Sequence, residues 1–168
     1  MPDRRSLIET ERLTADRLSS LNLDFASAHA VVSLHRAASV ARTHLTNSVL
    51  RPRDLTWTGF QVLWVCWIWD RMQTRDVAES VGVSKATLTG VTDTLVARGL
   101  VVRLRDQADR RMVALQLTPE GTALMEDLFP EFNRAESQLV RDFDPSQLEQ
   151  MTLILRHFIE SNETIEDA

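Results

Sequence analysis

The sequence has only one cysteine and no long apolar segment. Cys66 on its own excludes an internal disulfide framework, and a chain so poor in cysteine is typical of a reducing compartment. No apolar run approaches the ~18 residues that a membrane-spanning helix requires. The N-terminal residues include arginines but no apolar segment behind them, so we see no secretory signal. We therefore expect a cytoplasmic protein that does not enter a membrane.

Motifs for catalysis, cofactor binding and metal binding are also missing. The chain contains no H-E-x-x-H, P-loop, G-x-S-x-G or dinucleotide-binding pattern. Its four histidines are not spaced from carboxylates or from Cys66 as metal ligands would be; they are His29, His35, His44 and His157. The sequence thus predicts no enzymatic activity, no cofactor and no metal site.

The net charge of −5 is unevenly spread along the 168 residues. Residues 82–112 include six basic and three acidic side chains, a charge of +3, whereas residues 118–168 include three basic and twelve acidic ones, a charge of −9. A local basic surface on an acidic protein can still bind a polyanion, because phosphate neutralisation acts over short distances. With 43% hydrophobic and 26% charged residues, the chain should fold as one globular domain with helical additions.

Helical periodicity dominates the first half of the chain. Apolar residues recur at nearly every third or fourth position through 23–49, which predicts one long helix. Pro52 breaks this helix, and Thr56 is placed to cap a second one over Trp57–Trp69. Apolar side chains cover more than one face of the second helix, so we expect it to be central and mostly buried.

Two short helices and a hairpin follow. Thr74 is predicted to cap a helix that ends at Gly82, and Ser84 to cap one that ends at Gly99. Residues 100–104 and 112–117 have strand character on either side of a charged tip at 106–111. This order of elements is typical of a winged helix-turn-helix: a helix, a turn with a glycine, a second helix and a two-stranded hairpin.

The second helix of this pair has two unlike sides. Leu88, Val91 and Leu95 follow a helical spacing and should face the core. The opposite side and the first turn carry small, hydroxyl or charged residues, namely Ser84, Lys85, Ala86, Thr87, Thr89, Gly90 and Asp93. Small and hydroxyl side chains let a helix lie deep in a major groove. Gly90 costs about 1 kcal/mol relative to alanine in mid-helix, which close approach to DNA or close packing against another helix would explain.

The C-terminal third is predicted to be helical. Thr118 and Pro119 begin a helix that should run to about Phe143. Residues 144–147 repeat the start signal for a last helix. Its apolar stripe consists of Leu148, Met151, Leu155, Phe158 and Ile159. We predict an N-terminal dimerisation segment at 1–54, a DNA-binding domain at 55–118 and a C-terminal dimerisation segment at 119–168.

Residues 75–124 resemble the core of the MarR family of transcriptional regulators. The resemblance rests on three motifs: LVARGLV at 95–101, between the second short helix and the hairpin; D-x-x-D-R-R at 106–111, at the tip of the hairpin; and LTPEG at 117–121, where the next helix begins. LTWTGFQVL at 55–63 is similar to the start of the family's second helix. The resemblance implies a mainly α-helical protein with a small β-hairpin wing, in which N- and C-terminal helices form a homodimer and each copy presents one winged helix-turn-helix.

The resemblance also implies how double-stranded DNA is bound. The helix that begins after Ser84 would enter the major groove and the wing tip the adjacent minor groove, with Arg111 inserted and Asp109 orienting it. Lys85, Arg103, Arg105 and Arg110 are placed to meet phosphates. Many relatives carry arginine where this chain has Gly90, so an operator sequence borrowed from them need not apply.

The resemblance further implies a repressor that a small aromatic or anionic ligand releases from an inverted-repeat operator. A pocket for this ligand is predicted at His35, Arg36, Arg42, Trp57, Phe60 and Trp64. The alternative for these tryptophans is packing in the core and at a dimer interface. Two other functions stay open: a redox-responsive regulator acting through Cys66, for which a buried structural thiol is the competing interpretation, and a dimerisation module without DNA binding.

Overall fold

The computed structural model describes residues 7–21, 23–105 and 113–162. The chain divides into two compact units, Met1–Thr43 and His44–Ala168. None of the helices in the described residues is long and apolar enough to cross a membrane. The second unit contains the helix-turn-helix, the sheet and the C-terminal helices.

The first unit consists of helix α1, Leu7–Arg17, and most of helix α2, Phe25–Leu45. Asp24 begins α2, because its Oδ1 accepts a hydrogen bond from the backbone N–H of Ser27 at 3.1 Å. Hydrogen bonds from Ser27 lower the pKa of Asp24. The sequence pattern did not predict α1, since apolar side chains such as Ile8, 78% exposed, do not mark a buried face.

The predicted helix at 23–49 is correct for most of its length, but its last turn differs. After Leu45 the chain winds into a π-helical turn, Thr46–Leu50, and then a 3₁₀ turn, Arg51–Arg53. The 3₁₀ turn includes Pro52 and ends at Asp54, whose φ of 53° is left-handed. Proline cannot continue an α-helix here, because it lacks the backbone N–H that the helix would use.

Helix α3, Trp57–Trp69, has the predicted bounds and cap. The backbone N–H of Gly59 donates to Thr56 Oγ1 at 3.0 Å. Val62, Leu63 and Cys66 are at most 1% exposed, which confirms that α3 is central to the core of the second unit.

Helices α4, Thr74–Val81, and α5, Lys85–Ala97, form the helix-turn-helix. Gly82 ends α4 with a φ of 68°, a left-handed conformation that favours glycine. The prediction that Thr74 caps α4 is wrong, because Thr74 is the first helical residue and Gln73, without a side-chain cap bond, precedes it. Gln73 belongs to strand β1, Met72–Gln73, so the chain passes directly from strand to helix.

The sheet has three antiparallel strands in the order β1-β3-β2. Strands β2, Val101–Arg105, and β3, Val113–Leu117, form the predicted hairpin, with Val101 opposite Leu117 and Arg105 opposite Val113. The sequence pattern missed β1, since two residues are too few to show an alternation.

Helices α6, Pro119–Leu139, and α7, Pro145–Asn162, complete the described chain. Thr118 caps α6 as predicted. Asp144 and Gln147 cap α7 reciprocally, each side chain accepting the other's backbone N–H at 2.9 Å. The predicted end of α6 near Phe143 is wrong, because the N–H of Phe143 bonds to the carbonyl of Val140 in a turn that leaves Asp144 free to cap α7.

Candidate nucleic-acid interface

Helix α5 separates buried from exposed residues as predicted. Leu88 and Leu95 are each 2% exposed, and Val91 is half-buried against the core. The structure places the opposite side and the first turn at the surface, with Ser84, Lys85, Ala86, Thr87, Thr89, Gly90 and Asp93 all exposed. Thr92, which was not predicted to be buried, is 1% exposed, and among the described residues its Oγ1 has no hydrogen-bond partner.

Local hydrogen bonds organise the exposed hydroxyl groups at the start of α5. Ser84 Oγ accepts the backbone N–H of Thr87 at 3.1 Å and lies 2.9 Å from the hydroxyl of Thr87. Thr89 Oγ1 donates to the carbonyl of Lys85 at 2.9 Å. In this conformation the Thr89 hydroxyl keeps its lone pairs for an outside donor.

Arg103 joins the wing to α5. Its Nη1 lies 2.7 Å from Oδ1 of Asp93, and its Nη2 donates to the carbonyl of Thr89 at 3.4 Å. Arg103 and Asp93 stay 36% and 60% exposed. Arg103 was predicted from the sequence as a phosphate contact, and part of its guanidinium also joins strand β2 to helix α5.

The predicted wing-tip residues Asp109, Arg110 and Arg111 lie outside the described residues. Arg105, another predicted phosphate contact, ends β2 opposite Val113 on β3. The hairpin register therefore places Arg105 and Val113 side by side at the end of the sheet.

Gly90 is not required by packing within this chain. A β-carbon built on Gly90 would meet no atom of the described residues within 4 Å. Of the two explanations offered by the sequence, close packing against another helix of the same chain therefore has no support. Close approach of an outside partner remains.

Arg98 is a basic residue of this segment whose role the sequence pattern did not indicate. It caps the C-terminal end of α5, and its guanidinium donates to the backbone carbonyls of Arg53 and Asp54. These partners lie 45 and 44 residues away in the chain, so no local pattern could reveal the contact.

The predicted ligand-pocket residues fall into two groups. Trp57, Phe60 and Trp64 pack on α6, where Phe60 stacks on Phe132 at 4.3 Å between ring centroids and Trp64 on Phe129 at 4.7 Å. This packing fits the core interpretation of the aromatic residues. His35, Arg36 and Arg42 are exposed and belong to the other compact unit.

A cavity of about 280 Å³ lies between α1 and α2 in the first unit. Its lining is largely apolar and includes Leu18, Phe25 and Val32, with Arg36 as the one member shared with the predicted pocket. His29 also lines it, and the Nε2 atom of His29 is buried without a hydrogen-bond partner. Such a lining suits a small apolar ligand with one polar or anionic group.

Cys66 is a core residue. It is 1% exposed, and burial raises the pKa of its thiol to about 12. A thiol with so high a pKa is almost entirely protonated at neutral pH and therefore unreactive. In the described parts of the chain, no group of His, Cys, Asp and Glu side chains could hold a metal ion.

The fold and the exposed helix α5 define a class, the winged helix-turn-helix proteins. Residues 55–113 match the model of the MarR family. The chain is 33% identical over 139 residues to the HTH-type transcriptional regulator YwaE of Bacillus subtilis, covering 83% of this chain and 80% of YwaE. It is 25% identical over 128 residues to the homoprotocatechuate degradative operon repressor of Escherichia coli, covering 76% and 86%.

Solved structures agree with this family. Bordetella bronchiseptica BpsR, whose DNA binding is regulated by 6-hydroxynicotinic acid, has a TM-score of 0.70 and 27% identity over 77% of this chain and 97% of its own. The C80S mutant of E. coli MarR in complex with operator DNA has a TM-score of 0.70 over 92% and 99%, and at 21% identity it supports the fold alone. The chain belongs to the MarR family, whose members are DNA-binding transcriptional regulators and not enzymes.

Proposed function

We propose that two copies of this chain bind an inverted-repeat DNA operator and repress transcription until a small aromatic or anionic ligand releases them. Helix α5 of each copy would lie in a major groove and each wing tip in the neighbouring minor groove. The observation that carries this proposal is the exposed side of α5, which is small, hydroxyl-rich and basic at Lys85 while its other side is buried. The homoprotocatechuate degradative operon repressor supports the repressor role by analogy.

The contact residues follow from this placement. Base edges and nearby phosphates would meet Ser84, Lys85, Ala86, Thr87, Thr89 and Gly90. Phosphates beside the wing would meet Arg103, Arg105 and Arg110, and Arg111, oriented by Asp109, would enter the minor groove. An acidic body should suppress non-specific binding by repelling DNA elsewhere.

Dimer formation is supported by α7. No residue of this helix is buried. The exposed apolar side chains on one side of the helix include Ile154 at 68%, Phe158 at 44% and Ile159 at 57%. Apolar stripes of this length on a helix surface mark a protein interface, and a second copy of the chain is the occupant we propose.

The DNA-binding proposal is tested by selecting tight binders from random duplexes with the purified protein, followed by fluorescence anisotropy at several salt concentrations. We expect an inverted repeat to be selected, and Lys85→Ala to lower the salt dependence of binding by about one counterion. Arg134→Ala, at an exposed position of α6, is the control and should leave the salt dependence unchanged. Selection of no sequence, with binding no stronger than to random DNA, would favour a dimerisation module instead.

The ligand is proposed to bind within the first unit, near Arg36, the predicted pocket residue that would act as its anionic anchor. Arg36 is favoured because it also lines the cavity between α1 and α2. BpsR responds to 6-hydroxynicotinic acid, and an aromatic acid of that kind matches an apolar lining with one arginine.

A panel of aromatic carboxylates, measured by thermal shift and calorimetry, tests the ligand proposal. Arg36→Ala should weaken binding of the best compound at least tenfold, the scale expected for one lost charged hydrogen bond. Arg12→Ala, at an exposed position of α1, should not. Equal effects of the two variants would contradict the assignment of Arg36.

A further inference from the structure

Two arginines link the C-terminal end of α5 to α6. Arg98 Nη1 donates to the carbonyl oxygen of Asp54 at 2.6 Å, and Arg98 Nη2 to that of Arg53 at 3.0 Å. The side chain of Arg53 then reaches α6, with Nη2 3.0 Å from Asp127 Oδ2 and Nη1 2.6 Å from Glu131 Oε2. The link therefore passes through one residue, Arg53, which accepts at its carbonyl and donates with its guanidinium.

The link is better suited to fixing geometry than to adding stability. Asp127 and Glu131 are 75% and 38% exposed, and ion pairs open to water contribute only about 0–1 kcal/mol. A planar guanidinium with two separate acceptors, however, fixes an angle as well as a distance. Both arginines bind in this two-pronged way. Hydrogen bonds to Asp127 and Glu131 raise the pKa of Arg53, so its charge is retained at all physiological pH values.

The link acts at the end of α5 that lies away from its predicted DNA-contacting turn. Helix α5 has 13 residues, which makes it about 20 Å long. Tilting a lever of that length by about 10° about its C-terminal end moves the first turn by ~3.4 Å, the rise of one base pair. If the hydrogen bonds of Arg98 were lost, Ser84 could therefore shift along the DNA by about the rise of one base pair.

Apolar contacts reach α6 by a separate route. Phe60 on α3 stacks on Phe132 of α6. A β-carbon on Gly59 of α3 would lie 3.9 Å from Leu95 Cδ2 of α5. Apolar packing of this kind is non-directional. It holds α5 against α3, and the forked hydrogen bonds of Arg98 add a directional restraint at the C-terminal end of α5.

We propose that Arg53 and Arg98 are positioning residues that set the separation of the two α5 helices and thereby the half-site spacing that the dimer accepts. The inference rests on the proposed function, because spacing has meaning only for a dimer on a two-fold DNA site. Helix α6 leads into α7, the proposed dimer contact. The link therefore connects α5 to the helices that we propose lie at the two-fold axis of the dimer. Neither arginine is assigned a DNA contact here; each directs two N–H groups to acceptors within the chain.

The test uses the full-length protein and a set of inverted-repeat duplexes that differ only in spacer length, from two base pairs shorter to two longer than the selected site. Affinities are measured by anisotropy over a range of salt for the wild type, Arg53→Gln, Arg98→Gln and the double variant Asp127→Ala with Glu131→Ala. Arg51→Gln is the matched control, because Arg51 lies in the same 3₁₀ turn and is exposed. The double variant removes the α6 acceptors and leaves the turn before α3 intact.

We expect the preference for the best spacer over its one-base-pair neighbours to fall roughly three- to tenfold in the three variants, the scale of coupling through a packed network. The salt dependence should be unchanged, and Arg51→Gln should behave as the wild type. Three outcomes would overturn the inference. Folded variants could keep the wild-type spacer preference, or the salt dependence could fall by about one counterion, as it would for a lost phosphate contact. The third is that Arg51→Gln changes the spacer preference as much as the other variants do. If the wild type binds no inverted repeat at all, the proposed function is wrong, and the inference that rests on it is wrong as well.

Discussion

Helices α5 and α7 are both amphipathic, yet they meet their surroundings in opposite ways. Helix α5 buries Leu88 and Leu95 inside its own chain and exposes small and polar residues. Helix α7 buries nothing and exposes Ile154 and Phe158 at 68% and 44%. The helix whose apolar side is already covered presents a surface for a polar partner, whereas the helix whose apolar side is open requires a protein partner.

This difference assigns the two partners to different parts of the chain. The segment that contains α5 carries an excess of basic residues, and the segment that contains α7 an excess of acidic ones. DNA should therefore approach the first, and a second copy of the chain the second. Substitutions on α7 should accordingly alter dimer formation, whereas substitutions on the exposed side of α5 should alter DNA binding.

The largest effect is expected from polar substitutions on α7. Ile154→Asp with Phe158→Asp places two carboxylates in the proposed dimer contact, where they would be buried without partners. The protein should become a 19.1 kDa monomer by analytical ultracentrifugation. Operator affinity should fall roughly 100-fold or more, because two linked sites gain about 10²–10⁴ over one.

Glu160→Ala, at an exposed polar position of the same helix, is the control for that variant. A double aspartate variant that stays dimeric would show that α7 does not form the contact. A monomer that keeps full operator affinity would instead break the connection between dimer formation and DNA binding.

A second, smaller effect is expected at the wing. Arg111→Ala should weaken operator binding by about 1–3 kcal/mol, the usual cost of one lost specific contact. The melting temperature should change little, since we expect this side chain to be exposed. A loss of stability comparable to the loss of binding would mean that Arg111 has a structural role.

The buried side of α5 allows a change that should affect folding and not binding. Thr92 Oγ1 is buried and has no hydrogen-bond partner in the residues that the structure describes, and an unsatisfied hydroxyl costs about 1–3 kcal/mol. Thr92→Val keeps the shape and removes the hydroxyl, so the free energy of unfolding should rise by about 1 kcal/mol. Urea unfolding measures this, with Thr94→Val as the exposed comparison. Destabilisation by Thr92→Val would imply a partner for the hydroxyl.

A substitution on the exposed side of α5 should affect both stability and DNA binding. A β-carbon on Gly90 meets no atom of the described part of the chain within 4 Å, so Gly90→Ala should stabilise the helix by about 0.5–1 kcal/mol. If glycine is needed for close approach to DNA, operator affinity should fall while stability rises. A variant that gains stability and loses no affinity would remove Gly90 from the DNA contact.

Local signals were sufficient to predict much of this fold. Thr56, Ser84 and Thr118 cap helices at the predicted positions, because each cap depends only on the next three residues. The two sides of α5 were likewise predictable, since helical spacing alone separates Leu88 and Leu95 from Thr89 and Gly90.

The features that were missed depend on distant parts of the chain or carry weak patterns. Strand β1 has two residues and exists because Leu115 and Ala114 lie beside it. The bonds of Arg98 and Arg53 join residues 44 to 78 positions apart, and a basic residue in a basic segment looks like a DNA contact until its partners are known. The absence of a partner for Thr92 could not be predicted either, because it depends on every atom around it.

Footprinting of the wild-type protein on the selected operator, repeated at low and moderate salt, tests the central claim most directly. Two α5 helices related by a two-fold axis should protect two half-sites on one face of the duplex, with centres about one turn or ~10 base pairs apart. Protection should weaken strongly as salt rises, because the basic residues at 85 and 103–111 would release counterions from phosphates. Protection of a single asymmetric half-turn, or protection that hardly changes with salt, would contradict the account.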